Sequence, residues 1–84
     1  MKPIIYLKSE THGTQVTAYN PNNLTSINVY RQEDVCTSKY DDIDDFNDSL
    51  KRDLSDIFEI SDRETFNKML IDFTVNMNLI TKEL

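Results

Sequence analysis

Apolar and polar residues alternate in three short segments of the first third of the chain, at 4–8, 15–19 and 27–31. Each segment is rich in β-branched and aromatic residues, and turn-forming residues separate them. Gly13, between the first two, is suited to the positive φ of a hairpin loop. The pattern predicts a three-stranded antiparallel meander.

The period of two in these segments predicts two different sheet faces. If the strands pair in register, one face carries Ile5, Leu7, Val16, Ala18, Ile27 and Val29. The other face then carries Tyr6, Tyr19 and Tyr30. These tyrosines either lie on the partly solvent-exposed face of an ordinary sheet or form part of a binding surface.

From residue 42 the apolar spacing changes to that of a helix, which we predict over 42–58. Its apolar stripe spans an arc of about 120° and consists of Ile43, Phe46, Leu50, Leu54, Ile57 and Phe58. Asp41 or Asp42 is expected to cap the start of the helix.

A second helix is predicted from Ser61, with Glu64 completing a capping box, and extends for about 20 residues. Its main apolar face consists of Phe66, Met69, Leu70, Phe73, Met77, Ile80 and Leu84. A second stripe, Ile71, Val75 and Leu79, lies nearly opposite. Either the helix packs between the first helix and the sheet, or the second stripe is the seam of a homodimer. The expected fold is α+β, a three-stranded meander followed by two C-terminal helices in a single domain, 1–84.

The charge of the chain is concentrated in one segment. The net charge is −6, and residues 41–59 hold eight acidic and two basic residues, a balance equal to the whole net charge. Because phosphate contacts need clustered Lys and Arg, the composition disfavours direct binding of DNA or RNA. A basic partner protein is the complementary expectation.

Several kinds of chemistry are not expected. Cys36 and His12 are the only residues of their types, which leaves no catalytic nucleophile with its base and too few ligands for structural zinc. One glycine cannot build a glycine-rich phosphate loop. A calcium-binding loop that starts at Asp42 would need an oxygen ligand at its fifth position, where this chain has Phe46. We therefore predict a protein that is not an enzyme and has no metal or cofactor.

The segment MKPIIYLKSE has an apolar run of only four residues, shorter than a signal peptide or a membrane span requires. No membrane partner is expected. Together with the single cysteine, this favours a cytoplasmic setting.

The acidic residues of the first predicted helix share a side. On a helical wheel, an arc of about 120° opposite the apolar stripe contains Asp41, Asp44, Asp45, Asp48, Asp56 and Glu59. Arg52 lies among them, four residues from both Asp48 and Asp56, where it can form ion pairs. This side is either an ordinary solvated helix face or a surface that docks on a basic partner.

The chain resembles the small acidic inhibitors encoded by phages, including DNA-mimic anti-CRISPR proteins. The resemblance lies in its small size, its meander, its two C-terminal helices and the acidic stretch DDIDDFNDSLKRDLSD. The resemblance implies an inhibitor in a bacterial host cell that occupies the nucleic-acid-binding surface of a nuclease or CRISPR effector. The principal anchors would be Asp41, Asp42, Asp44, Asp45 and Asp48, with Asp56 and Glu59 extending the row.

Two other functions agree with the same sequence. One is a homodimeric or adaptor module that binds through Ile71, Val75 and Leu79, or through the tyrosines. The other is an immunity protein or antitoxin against a nuclease, which shares the inhibitory mechanism in another genetic setting.

Overall fold

In the part of the chain that the structure describes, four strands are followed by a helix, a short strand and a second helix. The computed structural model describes residues 1–11, 13–31 and 34–73. The strands are β1 (Ile5–Ser9), β2 (Gln15–Asn20), β3 (Thr25–Arg31), β4 (Asp34–Lys39) and β5 (Glu59–Ile60), and the helices are α1 (Ile43–Ser55) and α2 (Arg63–Asp72). The protein is α+β, as its sequence pattern predicts.

The antiparallel sheet has five strands in the order β4-β3-β2-β1-β5. The predicted meander is present as β1, β2 and β3, but the sheet is larger than predicted. Strand β4 extends it beside β3, and β5 pairs with the free side of β1. The β4 sequence DVCTSK is dominated by small polar residues, and β5 has only two residues. Neither has the apolar alternation by which a strand is recognised.

The register between β1 and β2 differs from the expected one. Ile5 lies opposite Tyr19, and Tyr6 lies opposite Ala18. Directly opposed residues project on the same side of a sheet, so Ile5 shares a face with Tyr19, and Tyr6 shares the other face with Ala18. The prediction that Ile5 and Ala18 share a face is therefore wrong. A shift of one residue exchanges every side chain between the faces.

One face of the sheet packs against α2. Its fully buried residues are Val16, Ala18, Ile27 and Val29 from the strands and Phe66 and Leu70 from the helix. The ring of Tyr6 adds to this cluster, with its centroid 5.2 Å from that of Phe66. This face is mostly aliphatic and contains most of the buried apolar side chains.

The opposite face packs against α1 through a smaller cluster of Leu7, Tyr19 and Phe46. Ala18 and Tyr19 are neighbours on β2 and belong to different clusters, so the sheet lies between the two helices. The predicted position of the second helix, between the first helix and the sheet, is therefore wrong.

The three tyrosines do not form the common surface that the sequence pattern predicts. Tyr19 is 1% exposed beneath α1, and Tyr6 is half-buried on the α2 side. Tyr30, on β3, is 38% exposed. The prediction of a shared face for Tyr6, Tyr19 and Tyr30 is wrong, because the register of β1 moves Tyr6 to the other side and α1 covers Tyr19.

Aspartate side chains cap both helices. The Oδ1 atom of Asp42 accepts a hydrogen bond from the N–H of Asp45 at 2.9 Å, which confirms the expected start of α1. In α2 the cap is Asp62, whose Oδ1 accepts from the N–H of Thr65 at 2.7 Å. The predicted cap, Ser61, is therefore wrong by one residue.

The predicted continuation of the second helix, with Val75 and Leu79, falls outside the described residues, as does His12.

Two turn residues within the described ranges adopt a positive φ. Gly13 has φ 87°, as its place in the β1–β2 loop predicts, and Leu24 has φ 55° in the β2–β3 turn. A leucine in this conformation costs about 1 kcal/mol. The carbonyl of Leu24 accepts a hydrogen bond from the N–H of Tyr40 at 2.9 Å, and its side chain packs against the α1 cluster. These contacts hold the strained turn in place.

The buried side of α1 is rotated away from the predicted apolar stripe. Phe46 is 1% exposed, but Ile43 and Leu54 of the same stripe are 41% and 37% exposed. Ser49 and Asp53 lie within about 60° of Phe46, on the side of Phe46 that faces away from the predicted stripe. Both form hydrogen bonds with a buried tyrosine of β2. These polar contacts orient α1, and two predicted core residues are left more than one-third exposed as a result.

We expect Phe46→Ala to lower the free energy of unfolding by about 3–5 kcal/mol, because it removes a fully buried aromatic side chain. Leu54→Ala, in the same predicted stripe, should cost less, since more than a third of this residue is already exposed. Urea denaturation followed by circular dichroism measures both values. Equal losses for the two variants would contradict the orientation described for α1.

Candidate functional site

Five aspartates form a continuous acidic surface at the start of α1. We call this set, Asp41, Asp42, Asp44, Asp45 and Asp48, the acidic patch; all five residues are exposed. Three of them belong to the first two turns of the helix and two precede it. The structure thus brings together the five anchors that the sequence predicts.

The carboxylates of the acidic patch are close enough to affect one another's protonation. The negative charge of Asp42 is the largest cause of a raised pKa at Asp45, followed by desolvation and by the charges of Asp41, Asp48 and Asp44. Like charges favour the protonated form of a carboxyl group, which raises its pKa. The patch is therefore a site of concentrated negative potential, to which all five members contribute.

Part of this charge serves the helix itself. Asp42 is the N-cap, and Asp44 and Asp45 occupy the first turn, where negative charge interacts favourably with the helix dipole. Asp41 precedes the cap, and Asp48 lies beyond the first turn. The patch thus carries more negative charge than the start of a helix requires.

Three aromatic rings position α1 on the sheet. The Phe46 ring meets the Tyr19 and Tyr40 rings edge to face, with centroids 5.5 and 5.6 Å away, and the two tyrosine rings stack at 6.2 Å. Such pairs contribute about 0.5–1.5 kcal/mol each beyond the area that they bury. Tyr40 lies just before the acidic patch in the chain, so this contact fixes the segment from which the patch begins.

A hydrogen-bond network surrounds these rings. The Tyr19 hydroxyl donates to Asp53 and lies 2.9 Å from the Ser49 hydroxyl, which lies 2.9 Å from that of Tyr40. The Tyr40 hydroxyl is also 2.9 Å from the hydroxyl of Ser26 on β3. Burial, and then the hydrogen bond to Asp53, raise the pKa of Tyr19 well above its usual range, so the phenol remains a donor. The sequence pattern does not predict this network, because nothing in it distinguishes Ser49 and Asp53 from ordinary polar residues of a helix.

The remaining residues of the predicted acidic row do not join the patch. Asp56 is the C-cap of α1, about 12 Å along the helix axis from Asp48. Glu59 lies opposite Lys8 in the β1–β5 pair, on the face that α2 covers. The predicted continuous row through Glu59 is therefore wrong, because the chain enters the sheet after α1 and turns this side chain away.

Arg52 does not neutralise the acidic residues of α1. Among the described residues the one salt bridge is Lys8 to Glu10, at 3.3 Å, so neither Asp48 nor Asp56 pairs with Arg52 within 4.0 Å. The predicted ion pairs of Arg52 are wrong in this structure. Among the described residues, the acidic patch therefore has no ion-pair partner within 4.0 Å.

Other predicted candidates lie elsewhere on the molecule. Ile71, the only described member of the predicted dimer seam, is 68% exposed on α2, and Cys36 is an exposed free thiol on β4. Within the described ranges, no group of three or more His, Cys, Asp or Glu side chains is arranged to hold a metal ion. Neither α1 nor α2 is long and apolar enough to cross a membrane.

Comparison with protein-family models, with curated proteins and with solved structures found no match for this chain.

Removal of the Asp42 charge should lower the pKa of Asp45 toward the ordinary value for aspartate. Asp42→Asn is suitable, because asparagine caps a helix as well as aspartate does. Carbon-detected NMR titration of the Asp45 carboxyl group measures the change. Because the folded protein holds the Asp45 proton more tightly than the unfolded chain does, protonation of Asp45 at falling pH favours the folded state.

The matched control is Asp62→Asn, the same change at the cap of α2, which should leave the pKa of Asp45 unchanged. The hydrogen bonds from Thr65 lower the pKa of Asp62 itself. Its contribution to stability is therefore present above the ordinary aspartate pKa and is lost as the pH falls through the lowered one. An unchanged Asp45 pKa in Asp42→Asn would contradict the coupling within the patch.

Proposed function

We propose that this protein is a non-enzymatic inhibitor that binds a basic surface of a nucleic-acid-binding protein, a nuclease or a CRISPR effector, and blocks access of the nucleic acid by mimicry. The observation that carries the proposal is the acidic patch. Its five exposed aspartates repel one another, and no basic side chain of the described residues forms an ion pair with them. Such a surface is most favourably covered by a cationic one.

The spacing of the carboxylates supports mimicry of a phosphate backbone. Residues three or four apart on a helix have Cβ atoms about 5–6 Å apart, so Asp44, Asp45 and Asp48 of α1 form a row of closely spaced charges. This arrangement resembles the dense line of charge that a nucleic-acid strand presents. A groove of Lys and Arg that binds phosphates would accept the same row.

The rigid position of α1 also supports the proposal. Phe46 and Tyr19 are each 1% exposed, and the hydroxyl of Tyr19 is bonded to Ser49 and Asp53 on the helix. The acidic patch is therefore presented in a fixed geometry before any partner arrives. Preorganised charges lose less conformational entropy on binding than charges on a flexible segment.

The proposal predicts that a basic protein retained on the immobilised protein from a bacterial lysate is displaced by excess DNA. For that protein, the triple change Asp44→Asn, Asp45→Asn and Asp48→Asn should raise the Kd about tenfold or more, since three charge pairs are lost. The Kd of the unchanged protein should also rise with salt concentration, because the attraction is screened. Titration calorimetry at several salt concentrations measures both effects.

A control with the same change in net charge is Glu59→Gln, Glu64→Gln and Asp72→Asn, three exposed acidic residues on the α2 side. It should leave the Kd within about twofold of the unchanged protein, since screened surface charges outside the contact contribute little. The proposal fails if the two triple variants weaken binding equally, or if the Kd is independent of salt.

A homodimeric or adaptor module is the second candidate function, and the exposure of one apolar side chain favours it. Ile71 on α2 is 68% exposed, and large exposed aliphatic residues are often covered by a partner. The other members of this seam, Val75 and Leu79, lie outside the described residues. In this function the acidic patch would serve only solubility. An immunity protein or antitoxin against a nuclease would instead use the acidic patch in the same way as the inhibitor.

Light scattering distinguishes a homodimer from the proposed inhibitor. We expect the mass of a monomer for the unchanged protein and for Ile71→Glu at concentrations into the millimolar range. A dimer that Ile71→Glu converts to a monomer would instead support the second function, since a buried glutamate would carry an unpaired charge at the seam.

A further inference from the structure

A surface groove lies on the α2 side of the sheet, away from the acidic patch. Its volume is about 560 Å³, and it is bounded by segment 1–4, by the asparagines of the β2–β3 turn and by Arg63 at the start of α2. A volume of this size is within the range of sites for small molecules.

The walls of the groove are held together by hydrogen bonds. The backbone N–H of Lys2 donates to Oδ1 of Asn22 at 2.9 Å, and Nδ2 of Asn22 donates to the carbonyl of Lys2 at 2.8 Å. Asn22 also donates to Oδ1 of Asn20, a residue that is 3% exposed. The first residues of the chain are thus fixed against the turn, and the groove is formed in advance of any ligand.

The charges that line the groove are all positive. Among the described residues that line it, Lys2 and Arg63 are the only ionisable side chains apart from Tyr6, and none is Asp or Glu. In the described part of the chain neither cation lies in a salt bridge, since the one such pair joins Lys8 and Glu10. In a protein of net charge −6 this is a local reversal of sign.

The base of the groove is apolar. Ile4 and Tyr6 are half-buried and pack against the core cluster beneath α2. The Tyr6 ring is supported by Phe66, 5.2 Å away, so its position is fixed. A flat apolar group could lie on this surface while its charged end remains at the cationic rim.

We propose that the groove binds a small organic anion in which a phosphate or carboxylate group is joined to a flat apolar group. Lys2 and Arg63 would hold the anionic group, with Arg63 able to bind two of its oxygens at once. The apolar group would cover Ile4 and Tyr6. The site is on the opposite side of the sheet from the acidic patch, so the inference does not depend on the proposed inhibitor function.

The test uses phenyl phosphate and benzoate as anionic probes. Phenol and inorganic phosphate, the separate parts of phenyl phosphate, serve as controls. We expect saturable changes in the amide NMR signals of Lys2, Tyr6, Asn22 and Arg63 on addition of phenyl phosphate or benzoate. Phenol and inorganic phosphate should bind more weakly, because each lacks one of the two contacts. Saturation with only one of the two anionic probes identifies which anionic group the site accepts and supports the proposal.

The variant Arg63→Gln should raise the Kd of the probe that binds about tenfold, the effect of losing one charge-assisted contact. The matched control is Lys68→Gln, which removes one positive charge from an exposed position of the same helix outside the groove and should leave the Kd unchanged. The proposal is wrong if neither anionic probe gives saturable changes, if phenol binds as tightly as phenyl phosphate, or if the two variants have the same effect.

Discussion

The contact between α1 and the sheet is the constraint on which the position of the acidic patch depends. Phe46 is the one fully buried residue of the helix, and Leu50 of the helix and Tyr40 pack in the same cluster. The polar network of Tyr19, Ser49 and Asp53 adds a second kind of attachment. Hydrogen bonds are directional, whereas apolar contacts tolerate rotation. The network therefore decides which side of α1 meets the solvent.

The two faces of the sheet differ in the kinds of side chain that they bury. The α2 face buries Val16, Ala18, Ile27 and Val29 in a cluster of aliphatic residues, which suits it to stabilise the fold. The α1 face has fewer apolar residues and includes a half-buried carboxylate, Asp53, whose partial desolvation is offset by the Tyr19 hydroxyl. Asp53 also carries its negative charge inward, while the acidic patch carries its own outward. The helix is thus acidic on two sides, and only one of them is open to a partner.

The sequence was sufficient to predict features that depend on local chemistry. The three central strands, the cap at Asp42 and the positive φ of Gly13 all follow from neighbouring residues. Other features depend on tertiary contacts. The faces of Tyr6 and Tyr19 depend on a register that the β1 pattern alone does not determine, and the inward direction of Asp53 depends on a tyrosine 34 residues away. The five aspartates of the acidic patch were predicted correctly as exposed neighbours. The predicted place of Glu59 in the same row was wrong, because Glu59 belongs to a strand of two residues that pairs only in the folded sheet.

The sheet order also has a consequence for the sequence of folding events. The pairs from β1 to β4 join strands that are adjacent in the chain, whereas Leu7 pairs with Ile60 and closes a loop of about 50 residues. Closing such a loop costs about 2 kcal/mol more in chain entropy than closing a hairpin loop of about five residues. We therefore expect the local pairings to form before the β1–β5 pair. The acidic helix lies in the chain between β4, the last strand of the local pairings, and β5, so the β1–β5 pair ties the segment that follows this helix back to the first strand.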